Sequence, residues 1–117
     1  MPVVEQYARA HIVTDEDVPD EQPAVPVVLR YDPEADPRSV HIDLPGPHEW
    51  TFSRALLERG LRAPAESDGV RVWPCGRVQA VVEFHSGHGV ELVQFESKAL
   101  LRFLRRTYVA AEEPVAR

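Results

Sequence analysis

One short helix signal interrupts a chain that is otherwise patterned for strands: Trp50 to Leu61, WTFSRALLERGL. Trp50 and Phe52 are two apart, the spacing of strand residues that share a face. Ser53 stands at an N-cap position, where its hydroxyl can accept an orphan amide of the first turn, an interaction worth about 1 kcal/mol. Arg54 to Arg59 give about a turn and a half of helix. Gly60 falls where a left-handed C′ residue is expected, and Leu61 can close a Schellman-type contact onto Leu56. A helix this short is unstable alone, so Phe52, Leu56, Leu57 and Leu61 are expected to plug a core built by strands. The predicted class is α+β, with antiparallel β layers, this helix closing one end and a C-terminal helix laid along them.

The flanking runs supply the strands. Val3 to Val13 alternates, with Val4, Ala8, Ala10 and Ile12 on one face. Residues 14–24 carry five acidic residues and two prolines with almost nothing to bury, so a mobile acidic loop is expected there. Val25 to Tyr31 puts Val27, Leu29 and Tyr31 on one face, with Pro26 marking an edge or a strand start, and Asp32 to Pro37 make a turn. Ser39 to Leu44 alternates most cleanly, with Val40, Ile42 and Leu44 inward. A turn at Pro45 to Pro47 returns it as a hairpin into His48 to Phe52.

After the short helix, Arg62 to Asp68 reads as loop and Gly69 to Trp73 as a strand ended by Pro74, Cys75 and Gly76. Arg77 to Phe84 and Gly89 to Phe95 form a second hairpin across His85 to His88, with Val78, Ala80, Val82 and Phe84 facing the core. Lys98 to about Val109, capped by Ser97, is the last helix. On its wheel Leu100, Leu101, Phe103, Leu104, Thr107 and Tyr108 fill one arc, while Lys98, Arg102, Arg105 and Arg106 fill the rest with no acidic residue between them. Residues 1–109 read as one domain and 110–117 as a disordered tail.

A chain of 117 residues buries about two thirds of its unfolded surface and needs no disulfide. The single Cys75 cannot pair within the chain, and Met1 opens no charged and apolar leader, so a cytoplasmic protein is expected. A net charge of −6 opposes general binding to nucleic acid or anionic membrane. All the basic residues but Lys98 are Arg, the mark of a GC-rich genome.

No catalytic motif is present, so no enzyme, cofactor or metal is expected. Asp32, Asp43 and Glu49 read as turn caps and strand ends. His85 and His88 supply two ligands where a specific metal site uses three or four. Trp50, Trp73, Phe84, Phe95 and Phe103 are expected in the core rather than in a base-stacking platform. The basic face of the last helix has two readings, a solvated surface or a docking patch for an acidic partner.

Taken in order, PVVLRYD (Pro26 to Asp32), the following ADPRSVHI, WTFSRALLERGL, GVRVWP (Gly69 to Pro74) and FLRRT (Phe103 to Thr107) resemble the SsgA-like sporulation and cell-division proteins of filamentous actinomycetes. The likeness runs from about Val25 to Thr107 and is greatest to their SsgB type. It implies a whirly-like arrangement, a homotrimer, and a non-enzymatic regulator that acts with an SsgA-type relative to bring the division GTPase FtsZ to septum sites. Contact with the membrane is then indirect, and no small-molecule substrate is expected. After Thr107 the chain departs from the SsgB-type pattern of a longer charged extension, which leaves a different subfamily role in spore-wall maturation and spore separation open.

The apolar arc of the last helix, about 160° wide, exceeds the roughly 100° that one core contact needs. Leu101 and Tyr108 are therefore expected at a subunit interface, with Lys98, Arg102, Arg105 and Arg106 displayed to a partner. The alternative, a single-stranded nucleic-acid binder by analogy with plant whirly proteins, is opposed by the net charge.

Overall fold

The structure, a computed structural model, describes residues 3–13, 24–44, 48–86 and 89–112. Its elements in chain order are β1 (Val4–Val13), β2 (Val25–Tyr31), β3 (Ser39–Leu44), β4 (His48–Ser53), α1 (Arg54–Gly60), β5 (Ala65–Ser67), β6 (Val70–Cys75), β7 (Gln79–Ser86), β8 (Gly89–Glu96) and α2 (Ser97–Glu112). The strands form one antiparallel sheet in the order β4-β3-β2-β1-β8-β7-β6-β5. The expected β layers are thus the two halves of a single sheet, joined where β1 pairs β8 over Ala10 to Val13.

The connection through α1 explains why that sheet rolls up. β4 and β5 are its two opposite edges, yet they lie only a short helix and a turn apart in sequence. The edges must therefore approach each other. α1 lies across the resulting seam, touching β3 and β4 on one side and β5 and β6 on the other. Trp50 on β4 stacks on Phe84 of β7 with ring centroids 3.9 Å apart, and Phe52 meets the same ring edge-on at 5.8 Å. Inward residues of both halves, among them Val27, Leu29, Ile42, Val72, Val82 and Phe95, share one core with Leu56 and Leu57 of α1 and Leu100, Phe103 and Leu104 of α2.

Local rules account for α1. Ser53 is extended, and its Oγ accepts from the Leu56 amide at 3.1 Å, as an N-cap should. The expected role of Gly60 is corrected. Gly60 is the last helical residue rather than a left-handed C′ position, and the chain leaves the helix through Leu61 in a right-handed conformation, its amide reaching Leu57 O at 3.1 Å. Glycine is needed there because the helix backbone touches β6: a Cβ would overlap the Val72 side chain and lie 2.8 Å from the Val72 carbonyl oxygen.

Other expectations are also revised. Val78 sits in the turn before β7 and is 65% exposed, so it does not join Ala80, Val82 and Phe84. Arg62 to Asp68 contains β5, whose three residues pair with β6. Pro74 does not end β6, which runs to Cys75 with Pro74 opposite Ala80. Trp73 lies outside the core, half-buried on the outer face of the sheet opposite Val81, with the Arg71 guanidinium 5.1 Å from its ring. α2 continues through Ala110 to Glu112, residues expected in the tail. The expected acidic loop except Ala24, the Pro45 to Pro47 turn, His88 and the last five residues lie outside the described residues.

Candidate partner-binding face

α2 takes the place of a strand. β8 pairs β1 only from Ala10 onward, so among the described residues the first half of β1 has no strand on that side, and α2 packs there. Gln6 secures the contact. It is an inward residue of β1, buried, and it donates from Nε2 to the Ala99 carbonyl on α2 at 2.9 Å. Its Oε1 accepts from Arg106 at 3.3 Å, and the same guanidinium nitrogen reaches the Glu5 carbonyl at 3.4 Å. A polar residue at an inward position of β1 was a readable sign of such a tie. Sequence reasoning passed over it.

The buried side of α2 is Leu100, Phe103, Leu104 and Thr107, with the Thr107 hydroxyl donating to the Leu104 carbonyl at 2.7 Å. Lys98, Arg102, Arg105 and Arg106 are all exposed. Among the described residues, Arg106 alone of the four has a hydrogen-bond or ion-pair partner. Arg102, Arg105 and Arg106 rim a groove of about 430 Å³ floored by Val4 and flanked by Val3, Val109 and Ala110. Leu101, which does not line the groove, is 46% exposed.

Tyr108 is placed differently from its expected neighbour at a subunit contact. Its ring lies under the Arg54 guanidinium at 4.1 Å, and its hydroxyl donates to Glu58, so it joins α2 to α1 within the chain. The hydrogen bond to Glu58, then burial, then the Glu58 charge hold its pKa above the usual tyrosine value, against the opposing charges of Arg54 and Arg62. Arg54 also donates to Tyr31 Oη and the Thr107 carbonyl, both at 3.3 Å. The sequence held one signal for this residue: a cation in the first turn of a helix opposes the helix dipole, so its presence calls for a tertiary reason.

The residues weighed as acid, base or ligand are occupied elsewhere. Asp32 Oδ1 accepts from the amides of Glu34 and Ala35. Asp43 takes Arg30 through both oxygens at 3.0 Å, and Glu49 takes the same guanidinium at 2.9 Å. His85 is exposed, 3.2 Å from Glu83. Among the described residues no group of three His, Cys, Asp or Glu side chains is arranged to hold a metal, and no helix is long and apolar enough to cross a membrane.

A family model described as Streptomyces sporulation and cell division protein, SsgA, matches residues 25–113. The sporulation-specific cell division protein SsgB of Salinispora tropica is 41% identical over 90 residues, which are 69% of this chain and 62% of that protein. SsgB of Streptomyces coelicolor is 40% identical over 93 residues, 74% of this chain and 67% of its own length. The matched region thus spans about two thirds of these relatives. A solved structure concerned with mutations in SsgB that correlate to longitudinal cell division during sporulation of Streptomyces coelicolor superposes with a TM-score of 0.79 at 33% identity, covering 93% of this chain and 88% of that one. An SsgA-like sporulation-specific cell division protein from Thermobifida fusca superposes at 0.72 with 26% identity, covering 93% and 82%. The rolled eight-stranded sheet with its seam helix and its C-terminal helix is therefore the fold of these relatives, and the chain belongs to the SsgA family of sporulation and cell division proteins.

Proposed function

We propose that this chain is a non-enzymatic scaffold of sporulation-specific cell division, cytoplasmic, gathering at septum sites as a homotrimer and recruiting division proteins through the outward face of α2. In this reading its partners are FtsZ and an SsgA-type relative, and it meets the membrane only through them. One observation carries the proposal: Lys98, Arg102 and Arg105 stand exposed without a counter-charge among the described residues of a chain whose net charge is −6. Segregation of that kind complements an acidic partner. Leu101 is the residue on the same helix that would contact a neighbouring subunit. Three copies of a weak site would then act together by effective concentration.

The nucleic-acid alternative finds no support in the relatives' names. Capture of partners from sporulating cells tests the proposal. Reversal of Arg102, Arg105 and Arg106 to Glu abolishes capture in this reading. Because Arg106 also ties α2 to β1, the double reversal of Arg102 and Arg105 is the cleaner variant. Undiminished capture by it would reduce the basic face to a solvated surface.

A further inference from the structure

We propose that the groove between the start of β1 and the last turns of α2 binds a short extended peptide that is acidic and carries apolar side chains. The proposal rests on the recruitment reading above and names the chemistry of what α2 takes. The groove exists because α2, a rounded element, stands in for a strand beside Val4 to Arg9 and leaves a furrow between helix and β1. Its wall and rim differ in character. Val3 is 47% and Val109 65% exposed, and Val4 closes the floor at 6%. Arg105 and Arg106 follow Arg102 by three and four residues, so the Arg102 side chain neighbours both along the rim.

Those guanidiniums are unequal in freedom. Arg106 is anchored to Glu5 O and Gln6 Oε1, whereas Arg102 and Arg105 have no partner among the described residues and can close on a ligand. Arg102 to Ala110 spans about 12 Å of helix, a length that about four extended residues cover. Successive side chains of such a peptide point to opposite sides. Carboxylates can therefore meet arginines while alternate apolar groups cover Val3 and Val109. An anionic bilayer matches less well, because the chain as a whole is negative.

Fluorescence anisotropy with a labelled peptide of alternating Asp and Leu tests this on the full chain, with circular dichroism to verify that each variant is folded. Binding is expected. Arg102→Glu/Arg105→Glu should weaken it by roughly tenfold or more, and Val109→Asp should weaken it although it leaves every arginine in place. Arg77→Glu, a charge reversal in the turn before β7 and outside the groove, should leave it unchanged. No binding, or equal affinity for an all-Asp peptide with Val109→Asp inert, overturns the proposal in favour of a merely charged surface. Binding of anionic phosphatidylglycerol vesicles that the peptide does not displace overturns it in favour of a lipid surface. A partner captured through Arg102 and Arg105 but not released by the peptide overturns the groove and leaves the recruitment reading standing. Peptide binding with capture indifferent to the double reversal does the opposite.

Discussion

The two helices meet the sheet on different terms. α1 has Leu56, Leu57 and Gly60 buried out of seven residues, a satisfied N-cap, and a backbone that touches β6. Its sequence is accounted for by the seam it closes. α2 is sixteen residues long, and its stripe of Leu100, Phe103, Leu104 and Thr107 is enough to dock it. Leu101, Arg102, Arg105 and Val109 on its far side are surplus to that task. A residue that folding already uses says little about function. The surplus on α2 is where a partner has room to act.

If α1 is structural in this sense, its substitutions should be costly and leave binding alone. The largest effect is expected from Leu56→Ala, since Leu56 is 1% exposed beneath the seam. Truncating such a leucine costs about 2–5 kcal/mol. A melting temperature within a few degrees of wild type would make α1 peripheral. Next comes Gly60→Ala, at about 1–3 kcal/mol from overpacking against Val72 rather than from backbone conformation. The double variant with Val72→Ala should recover part of that loss beyond additivity. Full recovery is not expected, because the Val72 Cβ and carbonyl oxygen remain in the way. A Gly60→Ala protein as stable as wild type would remove the close approach as the reason for glycine.

Gly60 also marks what was legible in the sequence. The residue type was readable, but a left-handed turn and a close helix–strand approach both demand a missing Cβ, and only the fold separates them. Alternation named the inward faces of β2 and β3 and the β3–β4 hairpin correctly, because a period of two is a local property. It could not join β1 to β8, a pairing across some eighty residues set by the rolled sheet. β5 escaped because Ala65 to Ser67 is too short for a period to be visible. In the candidate face the four cations were legible as a stripe. The anchoring of Arg106, the groove beside Val3 and the commitment of Tyr108 to α1 all require residues from distant parts of the chain, which no helical wheel contains.

The join between the helices yields a smaller, pH-dependent effect. Tyr108 has its pKa raised by the Glu58 hydrogen bond and by burial. A group raised in the folded state contributes fully below its ordinary value, near 10, and that contribution is lost as pH climbs through the folded value. Wild-type melting temperature should therefore fall more steeply above about pH 10 than that of Tyr108→Phe, which lacks the titrating hydroxyl. Parallel curves would mean that the Tyr108–Glu58 contact does not hold α2 to α1.

The smallest effect on stability is expected one residue from one of the largest. Leu100 and Leu101 are consecutive, at 0% and 46% exposure. Leu100→Ala should resemble Leu56→Ala, while a change at Leu101 should stay within about 0.5 kcal/mol, the range of a surface substitution. Leu101→Glu sharpens the contrast further. Within one subunit the new carboxylate lies four residues before Arg105, an arrangement that favours a helix by about 0.2–0.5 kcal/mol. Within the proposed trimer the same carboxylate would be driven out of water at a contact now made by leucine, which carries a desolvation cost. Thermal melting should then be unchanged or slightly raised while sedimentation reports a monomer. A trimeric Leu101→Glu protein would remove Leu101 from the interface, and a destabilised monomer would mean that this side of α2 belongs to the fold after all.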